Sequence, residues 1–129
     1  MKFILDTQLL LWAAGSPERI PVKVQNIMED RDNTLCFSSA SIWEIVIKKG
    51  LERKDFQVDA RALRRGLIEN EYQEIEITTN HILELEGLPL IHKDPFDRIL
   101  IAQARFEGIT FLTTDSRLSE YDSPVRLVR

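Results

Sequence analysis

Short apolar runs alternate along this chain with longer segments whose apolar residues recur every three or four positions, and glycine or proline punctuates the joints. Lys2 to Leu5 reads as a short buried strand, and Thr7 to Ala14 as a helix that stops at Gly15. Either Ser16-Pro17 or Ile20-Pro21 can open the next helix, because proline is tolerated where no backbone donor is needed; its body is expected over Val22 to Asp30. Thr34 to Phe37 is a second strand. Ser39 to Lys49 is a helix with Ile42, Ile45 and Val46 as its apolar face, ending near Gly50. Arg61 to Glu71 is amphipathic and helical, Glu74 to Ile77 a half-exposed strand, and Thr79 to Glu86 a short helix. After the loop "GLPLIHKDP" come a helix from Pro95 to Glu107 closed by Gly108, a strand Thr110 to Thr113, a short helix Ser116 to Tyr121 and a last strand Val125 to Val128.

Strands separated by helices need crossover connections, which favour a parallel sheet covered on both faces. The expected class is a three-layer α/β/α sandwich with a mostly parallel central sheet. In such sheets ligands gather at the carboxyl ends of the strands, where the strand order reverses.

At 129 residues the chain has about the length of one domain. No apolar run reaches the roughly 18 residues of a membrane span. The opening "MKFILDTQLLLWAAGSPE" is interrupted by Asp6 and lacks the basic flank of a signal peptide, so a cytoplasmic protein is expected. The single cysteine, Cys36, excludes a disulfide framework and is expected to be a buried thiol.

A net charge of −4 argues against a protein that coats nucleic acid, but the charge is unevenly spread. Between residues 48 and 65, Lys48, Lys49, Arg53, Lys54, Arg61, Arg64 and Arg65 face only Glu52, Asp55 and Asp59, an excess of four positives. This segment is either a solvated, salt-bridged helical face or a phosphate-contacting rim beside an acidic centre.

Four acids follow strands or begin helices: Asp6, Glu44, Asp97 and Asp115. Each has a structural reading. Ser41 to Glu44 and Asp94 to Asp97 both fit an N-cap with an acid three residues on, and Asp6 and Asp115 could be simple caps. Four independent caps need not share a location, however, and all of these fall on one edge of the expected sheet. Carboxylates about 4 Å apart repel by about 4 kcal/mol at an effective dielectric near 20. Convergence therefore requires protonation or a divalent cation, and oxygen-only donors suit Mg²⁺ or Mn²⁺ rather than Zn²⁺.

The stretches "ILDT", "SSASIWEIVIKKG", "HKDPFDRILIAQA" and "FLTTDSRL", in this order, resemble the PIN-domain ribonucleases, most of all the VapC-type toxins of toxin–antitoxin pairs. The likeness spans nearly the whole chain. It implies catalytic, metal-holding acids at Asp6, Glu44, Asp97 and Asp115, with Thr113 of the T-x-D motif orienting an acid or a water. It implies Mg²⁺- or Mn²⁺-dependent cleavage of RNA, homodimers, and silencing by a cognate antitoxin. Asp94 is then the helix cap and Asp97 the metal-site acid. The chain departs from this pattern in carrying Gln8 where relatives usually have histidine or asparagine after D-T.

Lys48, Lys49, Arg53, Lys54 and Arg98 are candidate RNA contacts. His92 is expected to make a loop hydrogen bond and His81 to be structural. Trp43 is expected in the core, with Ile47 and Leu51 alongside it, the alternative being an antitoxin-binding surface. Two other classes remain: a catalytically silent PIN-like binding module, and an Mg²⁺-binding phosphoacceptor receiver domain. The receiver would need paired acids after the first strand and a lysine after a late one.

Overall fold

The structure, a computed structural model, describes residues 1–51, 58–121 and 124–128. Strands β1 (Lys2–Leu5), β2 (Thr34–Ser38), β3 (Gln73–Ile75), β4 (Thr110–Thr113) and β5 (Val125–Leu127) form one sheet in the order β3-β2-β1-β4-β5. Every pairing is parallel, so the sheet is entirely rather than mostly so. Helices make the crossovers: α1 (Thr7–Gly15) and α2 (Val22–Glu29), then α3 (Ser39–Gly50) and α4 (Ala60–Glu69), then α5 (Thr79–Glu84) and α6 (Pro95–Glu107).

The period of two along the strands divides the core. Phe3, Leu5, Phe37 and Leu112 point to one face, where Leu9 and Leu10 of α1, Val24 of α2, Ile45 of α3 and Leu63 and Leu67 of α4 cover them. Ile4, Cys36 and Phe111 point to the other, under Leu100, Ile101 and Ala104 of α6 and the loop residues Leu88, Leu118 and Tyr121. This is the expected three-layer α/β/α sandwich, with Cys36 fully buried inside it.

Element ends differ from expectation for local reasons. The fourth helix stops at Glu69 because Glu71 takes the left-handed φ of 67°, which turns the chain out of the helix before β3. The helix expected over Thr79 to Glu86 divides into α5 and a 3-10 turn at Leu85–Gly87, and Ser116–Glu120 is a 3-10 turn as well. Gly108 closes α6 as expected, in the left-handed conformation at φ 68°. No described helix is long and apolar enough to cross a membrane.

The chain runs from β1 outward through β2 to β3, then returns to the far side of β1 to form β4 and β5. The strand order therefore reverses between β1 and β4, and it is at the carboxyl ends beside such a reversal that open α/β sheets bind their ligands. A receiver domain has the order 2-1-3-4-5 instead, and this topology excludes that class.

Candidate metal centre

The carboxyl ends of β1 and β4 are tied together by one chain of hydrogen bonds. Asp6, directly after β1, caps α1 by accepting the Gln8 N–H at 2.6 Å on Oδ1, while Oδ2 accepts the Thr113 hydroxyl at 2.6 Å. The Thr113 hydroxyl oxygen, fully buried at the end of β4, in turn accepts the Asp115 N–H at 3.0 Å. Burial raises the Asp6 pKa above the usual carboxylate range despite the Thr113 and Gln8 donors, and the charge of Asp115 adds to the rise.

Asp97 enters from α6. Asp94 caps that helix, its Oδ1 accepting the N–H groups of Phe96 at 2.8 Å and Asp97 at 3.4 Å, with Pro95 at the first helical position. Asp97 therefore projects from the first turn. Its pKa is pushed up to about 7, first by burial and then by the charges of Asp94, Asp6, Glu44 and Asp115. Asp97 thus lies within electrostatic reach of Asp6, Glu44 and Asp115, while the side chains whose ligand atoms come within 4.8 Å of one another among the described residues are His92, Asp94 and Asp97.

Glu44 arrives differently from expectation. The cap of α3 is Ser38, whose hydroxyl accepts the Ala40 N–H at 2.9 Å, and not Ser41, whose buried hydroxyl accepts from Thr7 at 2.8 Å. Glu44 thus lies in the second turn, too far along to serve the helix start, and its buried carboxylate meets Lys48 Nζ at 2.7 Å one turn on. Asp115 caps the 3-10 turn after β4 through the Arg117 N–H, and the Arg117 guanidinium grips both its oxygens, with Nη2 to Oδ2 at 2.7 Å. That side chain holds the Asp115 carboxyl below the usual carboxylate range.

The capping reading holds for some of the four acids and not for others. Asp6 and Asp115 cap, Asp97 sits in a capped first turn, and Glu44 does neither.

Other candidates fall into place as follows. Lys49 is exposed near the end of α3, whereas Arg53 and Lys54 lie outside the described residues. The Arg98 guanidinium donates to the carbonyls of Pro89 (2.8 Å) and Leu88 (3.3 Å) and to the Tyr121 hydroxyl (3.2 Å), which holds the loop before α6. His81 is buried and closes a capping box at α5, where its Nδ1 accepts the Thr78 N–H and its Nε2 meets Glu107 at 2.9 Å. His92 does make a loop hydrogen bond, but through its backbone N–H to the Tyr121 hydroxyl rather than through the ring.

Trp43 is not core: it is 56% exposed and packs edge-on against Phe96, with Val46, Ile47 and Leu51 continuing an outward apolar stripe along α3. Two groups lie close to these acids in ways the sequence did not indicate. Arg117 shows its role only through a turn geometry, and His92 joins Asp94 and Asp97 only because the loop folds it back.

The family model for the PIN domain matches residues 3–124. The chain belongs to the PIN domain family. Among solved structures, this PIN domain is similar to VapBC2 from Rickettsia felis bound to a DNA fragment from their promoter, at 15% identity and TM-score 0.71 over 99% of this chain and 98% of that one. It is also similar to DNA-bound VapBC from Salmonella typhimurium, at 16% identity and TM-score 0.65 over 99% and 97% of the two chains. A toxin–antitoxin complex from Klebsiella pneumoniae aligns at 17% identity and TM-score 0.60 over 95% and 94%. At these identities the likeness is one of fold. Among curated proteins none is a sequence match.

Proposed function

We propose that this PIN domain is a divalent-metal-dependent endoribonuclease of the VapC toxin type, silenced by a cognate antitoxin. The observation that supports the proposal is the position of Asp97, pushed up to about 7 by burial and then by the charges of Asp94, Asp6, Glu44 and Asp115, with Asp6 and Asp115 following the two strands between which the strand order reverses. Carboxylates that raise one another's pKa are short of positive charge, and a hard divalent cation supplies it. Oxygen donors of this kind fit Mg²⁺ or Mn²⁺, with Asp6, Asp97 and Asp115 as direct or water-bridged holders and Glu44 beside them.

When bound, the ion polarises the scissile phosphate and neutralises charge as the in-line transition state forms. The remaining work falls to the chain. Thr113 fixes the Asp6 carboxylate through a 2.6 Å hydrogen bond, and the Gln8 N–H fixes its second oxygen. Glu44 accepts the proton of the attacking water at a carboxylate oxygen, the water oxygen bonds to phosphorus, and the bond from phosphorus to the 3′-oxygen breaks as that oxygen takes a proton from a solvent water. The products end in 5′-phosphate and 3′-hydroxyl. Lys49, exposed one turn beyond Glu44, is the proposed contact to RNA phosphates, with Lys48 joining it when released from Glu44. Arg98 serves the site by holding its loop.

The outward stripe of Trp43, Val46, Ile47 and Leu51, flanked by Lys48 and Lys49, suits an amphipathic acidic antitoxin segment. A homodimer is the expected assembly, and equilibrium sedimentation of the free protein at twice the chain mass is the expected result. A catalytically silent PIN-like binding module is the second reading. It is favoured by Lys48 and Arg117, which already occupy Glu44 and Asp115.

Cleavage of total RNA and of a transfer-RNA pool by antitoxin-free protein tests the proposal. Discrete fragments are expected with Mn²⁺ or Mg²⁺ and none with chelator. Asp97→Asn should lower the rate by about a hundredfold or more, since even groups behind a metal ligand are worth 10–100-fold. Undiminished cleavage by folded Asp97→Asn would remove that residue from the site.

A further inference from the structure

One group at the rim of the acidic site is left without a partner. His92 Nε2 is shielded from solvent and finds no hydrogen-bond acceptor or donor among the described residues. It lies 3.2 Å from Asp97 Oδ2, close enough for attraction but without the alignment of a hydrogen bond. One ligand atom from each of His92, Asp94 and Asp97 falls within 4.8 Å of the other two, and this is the group of potential metal-ligating side chains that comes together most tightly among the described residues.

The arrangement is built rather than incidental. The His92 N–H donates to the Tyr121 hydroxyl at 2.9 Å, and Arg98 donates to that same hydroxyl and to the two carbonyls that precede the loop's turn. Asp94 is fixed as the cap of α6 through Oδ1, and one of its carboxylate oxygens lies within 4.8 Å of the ligand atoms of His92 and Asp97. A shielded imidazole nitrogen without a partner costs free energy that a ligand at this position would recover.

We propose that His92 Nε2 is a nitrogen donor to the divalent ion of this site, completing a mixed nitrogen–oxygen set with Asp97 and a carboxylate oxygen of Asp94. The inference rests on the metal-dependent reading above and adds a consequence to it. Mg²⁺ takes oxygen ligands in a near-ideal octahedron, whereas a transition-metal ion accepts an imidazole nitrogen more readily, so of Mg²⁺ and Mn²⁺ a His92 donor favours Mn²⁺. Ligation uses the tautomer that carries its proton on Nδ1.

The chain has two histidines, and the other, His81, is buried and bonded in its capping box. An imidazole signal at the metal is therefore assignable. Pulsed electron paramagnetic resonance of the full chain loaded with Mn²⁺ should show an imidazole-nitrogen coupling that His92→Ala and His92→Asn abolish. By calorimetry both variants should bind Mn²⁺ about tenfold more weakly, with Mg²⁺ affinity nearly unchanged. Circular dichroism of both variants checks that the fold is kept. Bound Mn²⁺ with no nitrogen coupling would overturn the role of His92 and leave the metal site standing. Tighter Mn²⁺ binding by His92→Ala would also overturn it, by making the ring a counter-charge to Asp97. Failure of the unsubstituted protein to bind Mn²⁺ at all would remove both this inference and the reading beneath it.

Discussion

At Asp97, burial and neighbouring charge act in the same direction. Its folded-state pKa rises from the ordinary 3.8 to about 7, so the fold favours the protonated form. The stability this group contributes is complete below about pH 3.8 and is lost as pH rises through about 7 in the metal-free protein. In chelator at pH 8, Asp97→Asn is expected to stabilise the protein by about 1–2 kcal/mol, discounted for the solvent that still reaches this half-buried side chain. The gain should shrink toward pH 4, and added Mn²⁺ should reverse the ranking by stabilising only the unsubstituted protein. Thermal melts across that range check the sign; a variant less stable than the parent at pH 8 in chelator would contradict it. Asp6, Asp97 and Asp115 were legible in the sequence because acids after strands and in first turns are visible as such. Arg117 and His92 were not, because an i,i+2 grip on Asp115 and a folded-back loop depend on backbone turns that no residue pattern encodes.

Helix starts decide how the site is aimed. Asp94 holds two N–H groups of α6 and so sets the direction in which Asp97 leaves the helix. Asp94→Ala is expected to cost about 1 kcal/mol in a denaturant titration, and Asp94→Asn much less, because asparagine caps as well as aspartate. Equal losses in the two variants would show that charge rather than capping is what Asp94 supplies. The start of α3 at Ser39 was legible, but the same capping logic misassigned its cap: Ser38, Ser39 and Ser41 compete, and the serine at the end of β2 takes it. It follows that Ser41 and Glu44 face inward together. Periodicity also failed to place Trp43, since α3 carries apolar residues on two faces. Ile45 enters the core while Trp43 and Val46 point outward, and a count of apolar spacings does not say which face the sheet takes.

On the scale of the whole molecule, the alternation of strands and helices made a parallel three-layer fold legible, but not the strand order. That order depends on which edge of β1 receives β4, and side-chain alternation is the same on both edges. The reversal there sets Asp6 after β1 and Asp115 after β4, and Lys48 and Lys49 follow Glu44 on α3, on a chain of net charge −4. RNA binding should accordingly be steeply salt-dependent, and Lys49→Gln in an uncleaving Asp97→Asn background should reduce the slope of log affinity against log salt by about 1. An unchanged slope would take Lys49 out of the phosphate contacts. In the proposed nuclease, acids from the end of β1, α3, α6 and the end of β4 form one divalent-cation site. Calorimetric titration of Mn²⁺ into the protein at pH 8, beside Asp6→Asn, tests it most directly. Saturable binding that weakens at least about tenfold in the variant is the expected result. Equal binding by both proteins, or none by either, would contradict it.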